Sequence, residues 1–275
     1  MLAHILLGLG AFAYPADYAY TFYKLSAAAY CIGVQGWDCA PCRASNQTVS
    51  SMMLLYNQTT DTRVFVAAYK DKHTGDDNIV VSFRGTETVL NWWENLKFVK
   101  TDRDMSCAGC KVHSGFLDSW TPVQHKVLVE IRRLKKLFPQ AKLYTTGHSL
   151  GGALAVIAAY VLEYDLGQNI DGVYTYGSPR VGNDKFAAFY NSGISNRRVT
   201  WRVTHHRDPV PHVPLKIMGF QHVATEVFYN ANSSSYQVCD GSGEDPACMD
   251  SLYGVDVSDH LDYFGETIGE DGCND

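Results

Sequence analysis

The sequence lacks an excess of positive charge. It contains 23 lysine and arginine residues against 29 aspartate and glutamate residues, so its formal net charge is −6 at pH 7. Proteins bind a nucleic acid backbone mainly through basic side chains, and this composition therefore argues against nucleic acid as a partner. The one basic run, residues 132–136, falls on a helical pattern and is typical of a solvated helix face.

Long apolar runs are also missing. Residues 150–162 come nearest to a membrane span, but they fall short of the roughly 18 apolar residues that one requires. Residues 2–12 are apolar apart from His4 and lead into Ala11-Phe12-Ala13, which has the form of a signal-cleavage site. We therefore predict a secretory signal over residues 1–13, with a buried N-terminal strand or helix as the alternative because lysine and arginine are absent there.

Internal repeats, low-complexity tracts and interdomain linkers are absent from the sequence. The hydrophobic fraction is 46% and the charged fraction 19%, which suits a compact chain with a sizeable core. Residues 14–275 are predicted to form a single domain, expected to be a monomer.

Eight cysteines, an even number, suit a chain whose thiols are all oxidised. Two pairs have C-x-x-C spacing, Cys39 with Cys42 and Cys107 with Cys110. The gap between the pairs is longer than in common zinc sites, and the residues before the first pair do not match a thioredoxin motif. Because a secretory signal is predicted, disulfides and an extracellular location are favoured. The same location permits glycosylation at three N-x-[ST] sites, Asn46, Asn57 and Asn232.

Short β-rich segments alternate with helical patterns along the chain. Helices are predicted at residues 18–30, 123–138 and 150–162. Strands are predicted at residues 63–69, 79–83, 143–146, 172–176, 199–203 and 223–228. This alternation predicts an α/β fold with a mainly parallel central sheet that is covered by helices on both faces.

The segment Gly147-His148-Ser149-Leu150-Gly151 has the form G-x-S-x-G between a predicted strand and a predicted helix. A serine on such a turn stands above the strand ends, and the following N–H, here that of Leu150, lies at a helix N-terminus where it stabilises an oxyanion. We therefore predict that Ser149 is a nucleophile. The alternative is a glycine-rich structural turn.

A nucleophilic serine requires a base and an orienting carboxylate, which follow it in the order acid, then histidine, in hydrolases with this turn. Asp208 lies after a predicted strand and before a proline, and His260 lies near the C-terminus. Four other downstream histidines compete for the role of the base: His205, His206, His212 and His222. No histidine pair has the spacing of a metal site, so no metal is expected.

Several further motifs occur in order with this turn. They are Phe83-Arg84-Gly85-Thr86, Asn91-Trp92-Trp93-Glu94-Asn95-Leu96, His113-Ser114-Gly115-Phe116, Tyr176-Gly177-Ser178-Pro179-Arg180-Val181-Gly182, Arg207-Asp208-Pro209-Val210-Pro211 and Asp259-His260-Leu261-Asp262-Tyr263-Phe264. With them, the sequence over residues 18–273 resembles the class 3 lipase family, and especially the secreted triacylglycerol lipases of filamentous fungi.

This resemblance implies an α/β-hydrolase fold with Ser149, Asp208 and His260 as the catalytic triad. It implies an oxyanion hole formed by Thr86 and Leu150, and a mechanism without cofactor or metal. It also implies four disulfides, Cys31–Cys273, Cys39–Cys42, Cys107–Cys110 and Cys239–Cys248.

The segment after Thr86 places apolar residues at helical steps, namely Val89, Trp92, Trp93 and Leu96. The matching segment in the lipase family is a short lid helix that opens at a lipid–water interface, which is a population shift toward a state with higher affinity for lipid. An ordinary surface helix is the alternative interpretation.

The expected activity is hydrolysis of acylglycerol esters through an acyl-enzyme. The expected partners are the lipid ester and, transiently, the lipid–water interface. Four alternatives remain open: a feruloyl or other soluble-substrate esterase, a phospholipase A1 or galactolipase, a catalytically silent lipid-binding homologue and, less favoured, a serine protease.

Overall fold

The computed structural model describes residues 13–86 and 98–274. Its strands are β1 (Thr48–Asn57), β2 (Thr62–Lys70), β3 (Asp77–Phe83), β4 (Lys100–Thr101), β5 (Val112–His113), β6 (Lys142–His148), β7 (Gly172–Tyr176), β8 (Val199–His205), β9 (Glu226–Tyr229), β10 (Tyr236–Val238), β11 (Asp262–Tyr263) and β12 (Glu266–Thr267). Eight of them form one sheet in the order β1-β2-β3-β6-β7-β8-β9-β10, while β4 pairs with β5 and β11 with β12.

Helices connect these strands. The α-helices are α1 (Ala16–Ala28), α2 (Ala40–Ala44), α3 (Ser114–Leu137), α4 (Leu150–Tyr160), α5 (Asp184–Tyr190) and α6 (Val257–His260). Short 3-10 segments cover Ile32–Gly36, Val210–His212, Lys216–Met218, Met249–Ser251 and Asp271–Cys273, and π-helical turns cover Val161–Asp165 and Asn191–Ser195. None of the described helices is long and apolar enough to cross a membrane.

The centre of the large sheet is parallel. Strands β3, β6, β7, β8 and β9 run in one direction, whereas β1, β2 and β10 pair antiparallel at the two edges. The predicted α/β fold with a mainly parallel sheet is therefore confirmed. In such a sheet the carboxyl ends of the parallel strands all lie on the same side, beyond the last residue of each strand, and ligand sites form there.

Both faces of the sheet are buried. In β2, Val64 and Val66 belong to a core shared with α3 and α4, whereas Phe65 and Ala67 belong to a second core shared with α1. This alternation follows from the two-residue period of a strand, which sends successive side chains to opposite faces. The prediction that helices cover both faces is confirmed.

Four disulfides cross-link the described residues, three of them locally and one between distant parts of the chain. The bonded pairs are Cys31–Cys273, Cys39–Cys42, Cys107–Cys110 and Cys239–Cys248. The first spans 242 residues and joins the segment after α1 to the C-terminal segment. The same two regions are also connected by Tyr23, whose hydroxyl donates to the Glu266 carbonyl at 2.9 Å. The segment that carries His260 is therefore tied back to α1.

Two predicted features lie outside the described residues. Residues 1–12 of the predicted signal are one of them. The predicted lid residues Val89, Trp92, Trp93 and Leu96 are the other.

Candidate active site

Ser149 occupies a sharp turn between β6 and α4. Its backbone has φ +57° and ψ −130°, a conformation that residues with a side chain rarely adopt. The Ser149 N–H donates to the Tyr176 carbonyl at 2.9 Å, which holds the turn against β7. Ser149 therefore occupies a strained turn between a strand and a helix, at the carboxyl end of β6, as the sequence motif predicts.

Two glycines permit this turn. A Cβ atom at Gly147 would lie 2.3 Å from the backbone of Gly151, and a Cβ atom at Gly151 would lie 2.2 Å from the carbonyl oxygen of Phe83. Both obstacles are backbone atoms, which cannot rotate away as a side chain can. The first and last positions of the motif therefore require glycine for close packing of the helix on the strands.

Asp208 and His260 lie side by side although 52 residues separate them. The His260 Nδ1–H faces both carboxylate oxygens of Asp208 at 2.9 Å, and both side chains are fully buried. Asp208 follows the end of β8, and His260 ends α6. Within residues 13–86 and 98–274, neither the Ser149 Oγ nor the His260 Nε2 has a hydrogen-bond partner. The Ser149 Oγ and the His260 Nε2 are therefore not hydrogen-bonded to each other, while the opposite ring nitrogen of His260 is oriented by Asp208.

Tyr263 is a further partner of the carboxylate. Its hydroxyl donates to the Asp208 Oδ2 at 2.6 Å, and the Val210 N–H donates to the Oδ1 at 2.8 Å. Burial, followed by the nearby Asp208 charge, raises the pKa of Tyr263 well above its usual value. The hydroxyl therefore remains a donor across the working pH range and helps to fix the carboxylate. Sequence reasoning missed this role, although the residue belongs to a motif that it singled out.

Gly177 makes room for this cluster. It has φ +55°, and a Cβ atom there would lie 2.7 Å from the Asp208 Oδ2 and 3.0 Å from the His260 Cε1. Tyr176, the residue before it, accepts the Ser149 N–H. A single dipeptide at the end of β7 therefore contacts all three predicted triad residues.

His148 connects the serine turn to the base. Its Nε2 lies 2.8 Å from the His260 carbonyl oxygen, and its Nδ1 lies 2.8 Å from the hydroxyl of Tyr30. Because a carbonyl only accepts, the Nε2 carries the proton and the Nδ1 accepts from Tyr30. Burial, followed by the nearby His260, lowers the pKa of His148 well below its usual value. The ring is therefore a neutral positioning group beside the base, a role that sequence reasoning also missed.

Thr86 and Leu150 line one cavity of about 240 Å³, together with Phe116 and Ser119 of α3. Leu150 is the first residue of α4, so its N–H lies at the positive end of the helix dipole. The structure therefore brings the two predicted oxyanion-hole residues to the same cavity, although neither Ser149 nor His260 is among the residues that line it.

The competing histidines have other partners. The His205 Nδ1 contacts the backbone carbonyl oxygen of Asp259. The His206 Nδ1 contacts the side-chain carboxylate of the same residue. His222 is buried and donates from its Nε2 to the Pro211 carbonyl at 2.7 Å, and the His212 Nδ1 lies 3.5 Å from the Asp250 carboxylate. None of the four contacts Asp208 in the described part of the chain, whereas His260 does.

Comparisons with known proteins agree with this arrangement. Residues 80–218 match the family model described as "Lipase (class 3)". A secreted mono- and diacylglycerol lipase 1 of Fusarium solani is 37% identical over 218 residues, which cover 77% of this chain and 63% of that protein. A lipase of Rhizomucor miehei is 36% identical over 262 residues, which cover 90% of this chain and 69% of that protein.

The fold is shared as well. A solved triacylglycerol lipase, whose catalytic centre is described as a serine protease triad, has a TM-score of 0.80 and 33% identity, covering 94% of this chain and 97% of that chain. The predicted α/β-hydrolase fold is thus confirmed. The chain spans less than two thirds of the length of the Fusarium solani relative. By sequence and by structure, this chain belongs to the class 3 lipase family.

Proposed function

We propose that the chain hydrolyses carboxylic esters of acylglycerols, with Ser149, His260 and Asp208 as the catalytic triad. One observation carries the proposal. The buried Ser149 Oγ and His260 Nε2 have no hydrogen-bond partner among the described residues, while the His260 Nδ1 is held 2.9 Å from both oxygens of Asp208. A histidine so oriented is suited to exchange a proton with a serine hydroxyl and a substrate.

The mechanism has two steps. The Ser149 Oγ attacks the ester carbonyl carbon while the His260 Nε2 takes its proton, and the imidazolium is stabilised by Asp208. The Leu150 N–H stabilises the oxyanion, together with the backbone N–H and the hydroxyl of Thr86. Collapse of this intermediate transfers the proton from His260 to the leaving alcohol and leaves an acyl-serine. Water then attacks the acyl-serine by the same route and releases the fatty acid, without a cofactor or metal.

The relatives support an acylglycerol substrate, since their names include mono- and diacylglycerol lipase and triacylglycerol lipase. The surface of this chain supports contact with a lipid interface. Ile217 is 91% exposed and follows the loop that carries Asp208, and Tyr253 is 94% exposed and precedes His260. Burying such side chains in lipid stabilises the bound state by about 1.5–3 kcal/mol each. We therefore propose that these residues, with the predicted lid residues Val89, Trp92, Trp93 and Leu96, bind the lipid surface.

Kinetics on two substrate forms test this proposal. Hydrolysis of a tributyrin emulsion is compared with hydrolysis of dissolved nitrophenyl butyrate, and Ser149→Ala is expected to abolish both. A rate increase when the ester exceeds its solubility supports a lipase. Equal activity on both forms would instead indicate a soluble-substrate esterase, and a preference for phospholipid vesicles would indicate a phospholipase A1. Full activity of Ser149→Ala would remove the whole assignment.

Surface variants test the interface separately. Ile217→Ser and Tyr253→Ser are expected to lower emulsion activity at least several-fold and to leave activity on the dissolved ester unchanged. Leu137→Ser is the matched control, because this exposed leucine ends α3, just before β6 begins and away from the carboxyl ends of the strands. Equal loss of emulsion activity in the control would argue against a defined lipid-binding surface.

We also propose that the protein is a secreted monomer. The Fusarium solani relative is named as secreted, and four disulfides persist best in an oxidising compartment. Among the predicted glycosylation sites, Asn46 and Asn232 are exposed, whereas Asn57 is half-buried. Expression in a secreting host tests cleavage after Ala13 by N-terminal sequencing, and glycosidase treatment and gel filtration test the other two predictions.

A further inference from the structure

Two chain segments carry the acid and the base of the triad. The first is the turn of His205, His206 and Arg207 that precedes Asp208, and the second is the segment from Asp256 to His260. The direct His260–Asp208 contact is a single pair of side chains, so its alignment depends on what holds the two segments together.

Four hydrogen bonds join these segments apart from the catalytic pair. The His206 Nδ1 lies 2.8 Å from the Asp259 Oδ2, and the Arg207 N–H donates to the same oxygen at 3.0 Å. The His205 Nδ1 lies 3.0 Å from the Asp259 carbonyl oxygen, and the Asp256 N–H donates to the Arg207 carbonyl at 2.9 Å. We call this set of contacts the His206–Asp259 clasp.

The clasp is polar and partly enclosed. The side chain of His206 is 25% exposed and that of Asp259 is 15% exposed. Since a carboxylate only accepts hydrogen bonds, the His206 Nδ1 carries a proton toward Asp259 whether the ring is neutral or charged. Other charged or titratable groups at the clasp are His205 and Arg207 on the acid side and Asp256 on the base side.

The backbone at His206 indicates that the clasp holds a strained turn. His206 has φ +36°, and its N–H donates to the Tyr229 carbonyl at 3.0 Å. A residue with a side chain keeps such a backbone only where surrounding contacts impose it. This turn leads directly into Asp208, so the same contacts set the direction in which the acid projects.

We propose that His206 and Asp259 are positioning residues, which align His260 with Asp208 by holding the two segments in one register. The inference rests on the proposed function, because it concerns the same triad. Neither residue touches the substrate in this proposal. Displacing a catalytic group by about 1 Å costs up to about 100-fold in rate, so loss of the clasp is expected to lower kcat and to leave KM nearly unchanged.

Three variants of His206 and Asp259 separate hydrogen bonding from backbone strain. His206→Gly relaxes the positive φ but removes the donor. His206→Asn keeps an N–H donor and tolerates the positive φ better than most residues. Asp259→Ala removes the acceptor. Asp76→Ala is the matched control, because it removes a carboxylate paired with Lys142 at 2.6 Å at the amino ends of β3 and β6.

Steady-state kinetics on dissolved nitrophenyl butyrate measure the effect. We expect His206→Gly and Asp259→Ala each to lower kcat about tenfold, with KM within about twofold of the parent value. His206→Asn is expected to recover most of the rate, and the control to retain all of it. The double variant His206→Gly/Asp259→Ala is expected to lose no more than Asp259→Ala alone, because that variant already removes the bond to His206 together with the bond from the Arg207 N–H.

Different results separate the failure of this inference from the failure of the proposed function. Unchanged kcat in His206→Gly and Asp259→Ala, while a phosphonate inhibitor still labels Ser149, would overturn the positioning role alone. So would a His206→Asn variant as slow as His206→Gly. If Asp259→Ala does not fold, the two His206 variants decide the matter. Hydrolysis that persists in Ser149→Ala would instead overturn the proposed function.

Discussion

Two buried histidines are expected to make the protein sensitive to mild acid. Burial, followed by the nearby His260, lowers the pKa of His148 well below its usual value. Burial, followed by the nearby Arg202 and Arg180, lowers the pKa of His222 in the same way. The folded protein therefore keeps both rings neutral. The unfolded chain protonates them below about pH 6.5.

The sign and size of the effect follow from proton linkage. Unfolding takes up protons below about pH 6.5, so the stability due to the neutral rings is complete above that pH and is lost progressively as the pH falls from there toward the lower pKa of the folded protein. Each ring contributes a slope of at most about 1.4 kcal/mol per pH unit, and the two together about 2.7 kcal/mol. The carboxylates add their own dependence only below about pH 5. Between pH 6.5 and pH 5 the histidines should therefore dominate.

His222→Gln isolates one of these contributions. Glutamine does not titrate, and its amide can donate to the Pro211 carbonyl as the His222 Nε2 does at 2.7 Å. Urea denaturation at pH 7.5, 6.5, 5.8 and 5.0, with the disulfides intact, measures the free energy of unfolding. We expect the slope between pH 6.5 and pH 5 to fall in the variant, by at most about 1.4 kcal/mol per pH unit. A variant slope equal to that of the parent would refute the argument that His222 is neutral in the folded protein.

Three further changes test the site and its supports. Tyr263→Phe removes a buried donor to the Asp208 carboxylate. In urea denaturation it should lower the free energy of unfolding by about 1.5–3 kcal/mol, and it should also lower kcat. An unchanged kcat would show that the hydroxyl does not orient Asp208. Gly147→Ala places a Cβ atom 2.3 Å from the Gly151 backbone and should prevent accumulation of folded protein in a solubility assay; a soluble, active variant would contradict the close packing. Replacing Cys31 and Cys273 with alanine opens a 242-residue loop and should lower the free energy of unfolding by about 5 kcal/mol. Opening the nine-residue loop of Cys239–Cys248 should lower it by about 3 kcal/mol. Equal losses in calorimetry would exclude an effect of loop length.

The parallel centre of the sheet was predictable because its strands are short, apolar and rich in β-branched residues. Residues 172–176 are predicted as a strand and form β7 with the same bounds. Strand β1 was not predicted, since its residues Thr48–Asn57 mix serine with methionine and leucine, which have no marked strand preference. It forms because it pairs with β2 along the sheet edge. That pairing is a tertiary contact and leaves little trace in the local pattern.

Element ends were less accurate. The helix predicted at residues 123–138 in fact begins at Ser114. The prediction started too late because proline usually ends a helix, whereas Pro122 lies inside α3. Burial of Phe116, Leu117 and Trp120 in the core favours the longer helix. The strand predicted at residues 223–228 begins only at Glu226, since the Ala224 N–H donates to the Asn191 side chain and not to a neighbouring strand.

The proposed triad residues were easier to identify from the sequence than the residues that contact them. Ser149 stands in a local motif, and the order of acid and base along the chain narrowed the choice of Asp208 and His260. The contacts of His148 with Tyr30 and with the His260 carbonyl span 118 and 112 residues. Neither contact has a local signature, so only the fold reveals that the histidine within the serine motif also supports the base.

Ser149 therefore depends on three kinds of constraint that act at different distances. Glycines within two residues allow the strained turn, and the end of β7 brings the Tyr176 carbonyl against it. The proposed base, His260, lies 111 residues later, in a segment joined to that of Asp208 by polar contacts and to α1 through the Cys31–Cys273 disulfide. A substitution near Ser149 is therefore expected to act on folding. Loss of the His206–Asp259 contact is expected to act on the rate first, because these two residues are proposed to align His260 with Asp208.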